Sequence, residues 1–192
     1  MNDIGLRILV ICKSPLFGAR VRCVLDLPLR SKSSREIAPR PLRYNETYIG
    51  KGPGNPLLYL TRKAEFAASH YYHNPELSPD ENRRLFGKCH NPNGHGHNYV
   101  LEVTVKGEVD PRSGFVVDLK QLKETMNREV LDAMDHRFLN KEVPEFATRI
   151  PTTENVAIAI WQRLAPKLIK AKLHRVRLYE NHDLFVDYLG EE

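Results

Sequence analysis

The stretch His95–Val109 commits this chain to a β-sheet. Tyr99, Leu101, Val103 and Val105 alternate with Glu102, Thr104 and Lys106. That two-residue period puts apolar side chains on one face and polar ones on the other, which a helix cannot do. Leu58–Tyr71 reads the same way, with Ala64, Phe66, Ala68 and His70 sharing a face. The signals that follow fall in a simple order. Ser78–Phe86 begins Ser-Pro-Asp-Glu, which suits a short helix opening at Ser78. Asp110-Pro111-Arg112-Ser113-Gly114 is a turn, after which Phe115–Val117 is expected to return as a paired strand. Asp118 can cap a helix running to about Met134, buried through Leu119, Leu122, Met126, Val130 and Ala133. Thr153-Glu154 opens a second helix, buried through Val156, Ile160, Leu164 and Leu168, with Pro166 ending or kinking its regular part. Leu173–Glu180 and Leu184–Leu189 read as strands around the turn Asn181-His182-Asp183. The predicted class is α+β, in the order ββααββ, with an antiparallel sheet carrying both helices on one face.

Residues 1–56 read differently. They hold six of the 13 prolines and the breaker cluster Gly50-Lys51-Gly52-Pro53-Gly54. Only Arg7–Cys12 and Val21–Leu27 show any strand pattern. The segment is expected to be a flexible N-terminal extension, or the product of an annotated start placed too far upstream, with residues 57–192 as the working domain. The charge divides at the same place. Residues 1–56 carry ten basic and four acidic side chains against 19 and 20 in the remainder, so the net +5 does not describe the domain. A nucleic-acid partner is therefore not expected. No apolar run approaches the roughly 18 residues of a membrane span. Cys12, Cys23 and Cys89 are too few and too scattered for a disulfide framework, which predicts a reducing, cytoplasmic setting.

The densest chemical signal is Gly94-His95-Gly96-His97. In an extended strand both imidazoles point to one side, and the flanking glycines leave space for an ion. A third imidazole would complete a tetrahedral zinc site with one open position. His70, His73, His90, His174 and His182 are all available, and spacing does not choose among them; a lone His-x-His pair also occurs on solvated strand ends. Cys89 lies in a polar loop six residues before His95, where Lys88, His90 and a zinc ion would each lower its pKa. Asp135-His136 can act as a carboxylate that fixes an imidazole, or simply as a helix C-terminus. Glu180 at a strand end can accept two parallel hydrogen bonds from an amidine-like edge, or be a surface charge.

Taken together these blocks resemble the 6-pyruvoyltetrahydropterin synthase family, from about Tyr59 to Glu191. The resemblance is carried by Phe66-Ala67-Ala68-Ser69-His70, by Leu85–Tyr99 with its Cys89 loop and His-Gly-His, by Gly107–Pro111, by Asp135-His136, by Pro151–Asn155 and by Val176–Glu180. It implies zinc held by His70, His95 and His97, and a catalytic trio of Cys89, Asp135 and His136. It further implies that Glu180 anchors a pterin ring, with help from the Thr152-Thr153 backbone. The implied fold is the tunnelling fold, in which sheets of three subunits close a barrel and two rings stack as a hexamer. Active sites would lie between subunits, with Cys89 and the Asp135-His136 pair from different chains. The implied reaction converts 7,8-dihydroneopterin triphosphate to 6-pyruvoyltetrahydropterin with loss of triphosphate. Related enzymes instead make 6-carboxytetrahydropterin and release acetaldehyde; the five residues between Cys89 and His95 resemble the pyruvoyl group. A non-catalytic, zinc-stabilised pterin-binding oligomer is the third reading. His90 departs from the family, standing where relatives often carry a polar amide, and it is a candidate to disturb Cys89 or compete for zinc.

Overall fold

The computed structural model describes residues 55–190 in full, together with the backbone of two strands nearer the N-terminus. Those strands, β1 (Arg7–Lys13) and β2 (Arg20–Asp26), pair antiparallel with Arg7 opposite Asp26. Otherwise the expected flexible extension over 1–56 lies outside the described residues. The chain divides into two compact units, Met1–Tyr48 and Ile49–Glu192.

The second unit is built on five strands in the order β5-β3-β4-β6-β7: β3 (Leu57–His70), β4 (His95–Glu108), β5 (Arg137–Phe138), β6 (Lys172–Tyr179) and β7 (Phe185–Tyr188). All neighbours are antiparallel except β5, which runs parallel to β3 over Ala68 and Ser69. The long β3–β4 ladder sets Phe66 opposite Tyr99, Ala68 opposite His97 and His70 opposite His95. Even positions of β3 and odd positions of β4 therefore share one face. A register shift at Thr104/Val105 lets both Leu173 and Val176 of β6, three residues apart, turn inward.

Two helical runs cover that face. Between the first two long strands, α1 (Pro79–Phe86) starts at Ser78 with a reciprocal Ser78/Glu81 capping box. Asp118 caps α2 (Leu119–Met126) by accepting from Lys120 N and Gln121 N, and the helix continues through a π-helical turn, Asn127–Leu131, into α3 (Asp132–Met134). The π turn advances the buried stripe. Leu122, Met126, Val130 and Met134 are buried, whereas Leu119 is exposed and Ala133 only half-buried. A short α4 (Leu139–Glu142) precedes α5 (Thr153–Leu164), which Thr152 caps and which gives way to a 3₁₀ turn at Ala165–Lys167, where Pro166 sits. Val156, Ile160 and Leu164 are fully buried as the periodicity predicted, and Leu168 packs against them half-buried. These side chains meet Tyr99, Leu101, Val103 and Leu178 in one core. Truncating one of them, such as Ile160→Ala, would cost about 2–5 kcal/mol.

One predicted strand is absent. Phe115–Val117 forms no ladder; the exposed Phe115 bonds only within its turn, its carbonyl accepting from Asp110 N (2.9 Å) and its N–H donating to Ser113 Oγ (3.3 Å). The run is too short to pair before Asp118 starts the helix. Among the described residues no helix is long and apolar enough to cross a membrane.

Candidate metal centre and its surroundings

The register places the three histidines. His70 ends β3 directly opposite His95, and His97 follows two residues on, so all three rings project from the core face at one end of the ladder. Ring centroids lie 4.6 Å apart for His70–His95 and 5.0 Å for the other two pairs. Their available nitrogens all fall within 4.8 Å of one another. Gly94 makes the approach possible. Its φ is +74°, and a Cβ there would meet the His70 carbonyl and the Phe138 ring at 3.2 Å.

The donors suit a metal. His70 is fully buried, and its Nδ1 lies 2.8 Å from the Pro151 carbonyl. A carbonyl only accepts, so Nδ1 carries the hydrogen and Nε2 keeps its lone pair toward His95 Nε2, 3.2 Å away. The Tyr99 hydroxyl stands 3.1 Å from the same Nδ1. Burial pushes the His70 pKa down from 6.5 to about 4, and burial likewise lowers that of His97. Neutral imidazoles are the ligating form. His95 Nδ1 and His97 Nε2 are buried without a hydrogen-bond partner. Orphaned polar atoms of this kind are costly; a cation among the rings would engage His97 Nε2, whereas His95 faces the cluster through Nε2 and its Nδ1 stays unpartnered.

Glu180, at the end of β6, borders the cluster. Its Oε1 is 3.5 Å from His97 Nε2, and its Oε2 accepts from the buried Thr153 hydroxyl. The Thr152 backbone is committed to its own turn, with its N–H on Ile150 O (2.8 Å) and its carbonyl accepting from Val156 N (2.9 Å). It is thus the Thr153 side chain that reaches the Glu180 carboxylate.

Cys89 lies on a 3₁₀ turn, Gly87–His90, half-buried and free. Its carbonyl accepts from Tyr72 N (2.8 Å), two residues beyond His70. The protein surroundings push its thiol pKa up, through burial first and Glu180 second, and so correct the expectation that Lys88 and His90 lower it. The His90 ring is committed to the Tyr72 carbonyl through Nδ1 (2.8 Å) and lies outside the three-histidine cluster, so it is not placed to compete for the metal.

Asp135 and His136 form a separate clamp. Asp135 Oδ1 accepts from Ala67 N (2.8 Å) and lies 3.0 Å from His136 Nδ1, while His136 N donates to Ala67 O (2.6 Å). The Ala67 amide foremost holds the Asp135 carboxyl below its ordinary range, so it stays charged beside the imidazole. His136 adopts φ +56°, uncommon for a residue with a Cβ, and 83% of its side chain is exposed. Among the described residues no hydrogen bond or ion pair joins it to Cys89 or to the three histidines. It does share with His97 the lining of an open cleft of about 550 Å³.

Sequence reasoning missed Tyr99 and Tyr72. Tyr99 lies on the alternation already traced through His95 and His97, so the same period could have placed it beside His70. Tyr72, whose ring lies 5.0 Å from His70 and 6.4 Å from His95, follows the end of β3 and carries no such signal.

Known proteins resemble the chain over this same region. The sequence model of the family described as 6-pyruvoyl tetrahydropterin synthase matches residues 59–191. The 6-pyruvoyl tetrahydrobiopterin synthase of Pongo abelii is 47% identical over 132 residues, and that of Homo sapiens 46%; each match covers 69% of this chain and 91% of the relative. The solved structure of the Caenorhabditis elegans 6-pyruvoyl tetrahydropterin synthase superposes with a TM-score of 0.69 at 43% identity, covering 71% of this chain and 98% of that one.

Proposed function

This chain belongs to the 6-pyruvoyl tetrahydropterin synthase family, and on that premise we propose that it converts 7,8-dihydroneopterin triphosphate to 6-pyruvoyltetrahydropterin and triphosphate. The observation that carries the reading is the convergence of three imidazoles, that of His70 fully buried and those of His95 and His97 half-buried, beside a carboxylate held by Thr153. His70, His95 and His97 are the ligands of a zinc ion, which when bound supplies Lewis acidity toward the hydroxyl oxygens of the substrate side chain.

The chain's own groups divide the remaining work. Glu180 accepts the N–H groups of the pterin's amidine-like edge, and Thr153 keeps the carboxylate turned toward it. Cys89, as thiolate, takes a proton from the substrate side chain, and His136, oriented by Asp135, moves the others. The balance closes without a nicotinamide. Loss of triphosphate from the third side-chain carbon turns the second carbinol into a methyl ketone. The two hydrogens released as the first carbinol becomes a ketone reduce the C6=N5 bond of the ring.

The sheet supports assembly with further subunits. β5 covers β3 only at Ala68 and Ser69, and no described strand covers the outer side of β7. Open edges on both sides suit closure by further copies of the chain, as a hexamer of two stacked trimers. The exposed His136 would then serve a neighbour's Cys89. The free thiol suits a reducing compartment, the cytoplasm.

The test is product analysis on purified, zinc-loaded protein given 7,8-dihydroneopterin triphosphate. The 6-pyruvoyl pterin and triphosphate are expected in equal amounts. Acetaldehyde with a 6-carboxy pterin would reassign the product. Bound zinc in an intact oligomer with no substrate consumed would leave a pterin-binding scaffold.

A further inference from the structure

The two residues after His70 are held by both of their backbone polar groups. Tyr71 donates its N–H to Asn140 Oδ1 (2.9 Å), and its carbonyl accepts from Asn140 Nδ2 (3.0 Å). Tyr72 donates its N–H to the Cys89 carbonyl (2.8 Å), and its carbonyl accepts from His90 Nδ1 (2.8 Å). Neighbouring residues of the cysteine loop thus grip the two sides of one residue. The Tyr72 ring also faces the histidine cluster and packs on Phe86 at 5.9 Å. Upstream the loop is tied to α1, where Gly87 N–H donates to Arg83 O. It is a four-residue 3₁₀ turn entered through Gly87 at φ +53°, and such short turns are weakly stable alone. His90 adds a second contact, stacking on His73 with centroids 5.3 Å apart and planes at 25°.

We propose that His90 is the positioning residue for the Cys89 thiol. With only the Tyr72 N–H bond, the Cys89 peptide could swing about a single contact; the His90 bond to the Tyr72 carbonyl closes a two-point clamp. The inference rests on the reading of Cys89 as the proton-accepting base. A general base works only within about 2.6–3.2 Å of the proton it takes, and a displacement of roughly 1 Å can cost on the order of a hundredfold. Registration of this loop therefore acts on turnover rather than on substrate affinity.

Three variants separate the hydrogen bond from the stack. His90→Phe keeps a ring against His73 and removes the donor. His90→Asn keeps a side-chain N–H at similar reach and removes the ring, and His90→Ala removes both. In the zinc-loaded oligomer, His90→Phe and His90→Ala should lower kcat roughly tenfold with KM within about twofold and zinc content unchanged, while His90→Asn should stay within about threefold of the parent. Parental kcat in His90→Phe, or His90→Asn as impaired as His90→Phe, would overturn the inference. Should His90→Ala fail to fold, the comparison of His90→Phe with His90→Asn decides. Cys89→Ala runs alongside: parental turnover there sinks the reading of Cys89 itself, whereas an inactive Cys89→Ala beside a fully active His90→Phe sinks only the role of His90.

Discussion

Glu180 and His97 meet at the edge of the histidine cluster, with the carboxylate Oε1 3.5 Å from the imidazole Nε2. Neither atom is spent on a close hydrogen bond to the other, and the second carboxylate oxygen is taken by Thr153. The carboxylate therefore borders the histidine cluster with one oxygen free of close hydrogen bonds, and experiment can assign it to the metal or to the substrate.

Replacing Glu180 with Gln should raise KM by about 10–100-fold, because a hydrogen bond to a charged group is worth about 1.5–3 kcal/mol. Zinc content should not change. Steady-state kinetics beside metal analysis reads both, and an unchanged KM with lost zinc would make Glu180 a ligand instead.

Cys89→Ala should keep zinc and the oligomer but lose turnover by about 10²–10⁴-fold. If His136 serves a neighbouring subunit, mixed oligomers of inactive Cys89→Ala and inactive His136→Ala chains should regain part of the activity. Failure of every mixture would place the two groups in one chain.

The metal should also govern the thiol. In the protein alone, burial and Glu180 hold the Cys89 pKa above its ordinary value, and a bound cation acts in the opposite sense. The midpoint of alkylation rate against pH should accordingly rise when zinc is removed. An unmoved midpoint would mean that the metal does not reach the thiol.

The sequence made the sheet and the histidine pair legible because both depend on local period. Alternation sorts Phe66, Ala68 and His70 onto one face of β3, and His95, His97 and Tyr99 onto one face of β4, but only the β3–β4 register shows that these are the same face of the sheet. Capping residues Ser78 and Asp118 mark helix starts for the same local reason, while the cap of α5 is Thr152, one residue before the predicted opening at Thr153. What stayed hidden depends on partners distant in sequence. β5 is two residues long, and Arg137 is a strand residue only because Ala68 lies beside it. The Asp135 clamp on Ala67 spans 68 positions. The π turn that moves the buried stripe from Ala133 to Met134 answers to packing, since a regular helical period would continue to Ala133. The rise in the Cys89 pKa comes from burial and from Glu180, neither of which its neighbours in sequence reveal.

Acid should destabilise the metal-free protein in a defined window. His70 has its pKa depressed from 6.5 to about 4, mainly by burial, so the folded state favours its neutral form. That contribution is complete above about pH 6.5 and is lost as pH falls toward 4; His97 acts in the same direction. The Tm of metal-free protein should fall across this range, and a flat Tm would contradict the burial assigned to His70.

The family match starts at residue 59, and every residue given a role lies beyond Leu57. A chain beginning at Leu57 should keep its zinc, its oligomer by light scattering and its turnover. Loss of any of these would give residues 1–56 a structural part.

If His70, His95 and His97 hold the metal on which turnover depends, zinc titration into metal-free protein is the decisive measurement. No turnover is expected without metal, recovery should be complete at one zinc per chain, and His97→Ala should show neither binding nor recovery, since two imidazoles cannot hold the open tetrahedral site. Full turnover by metal-free protein, or normal zinc and activity in His97→Ala, would contradict that assignment.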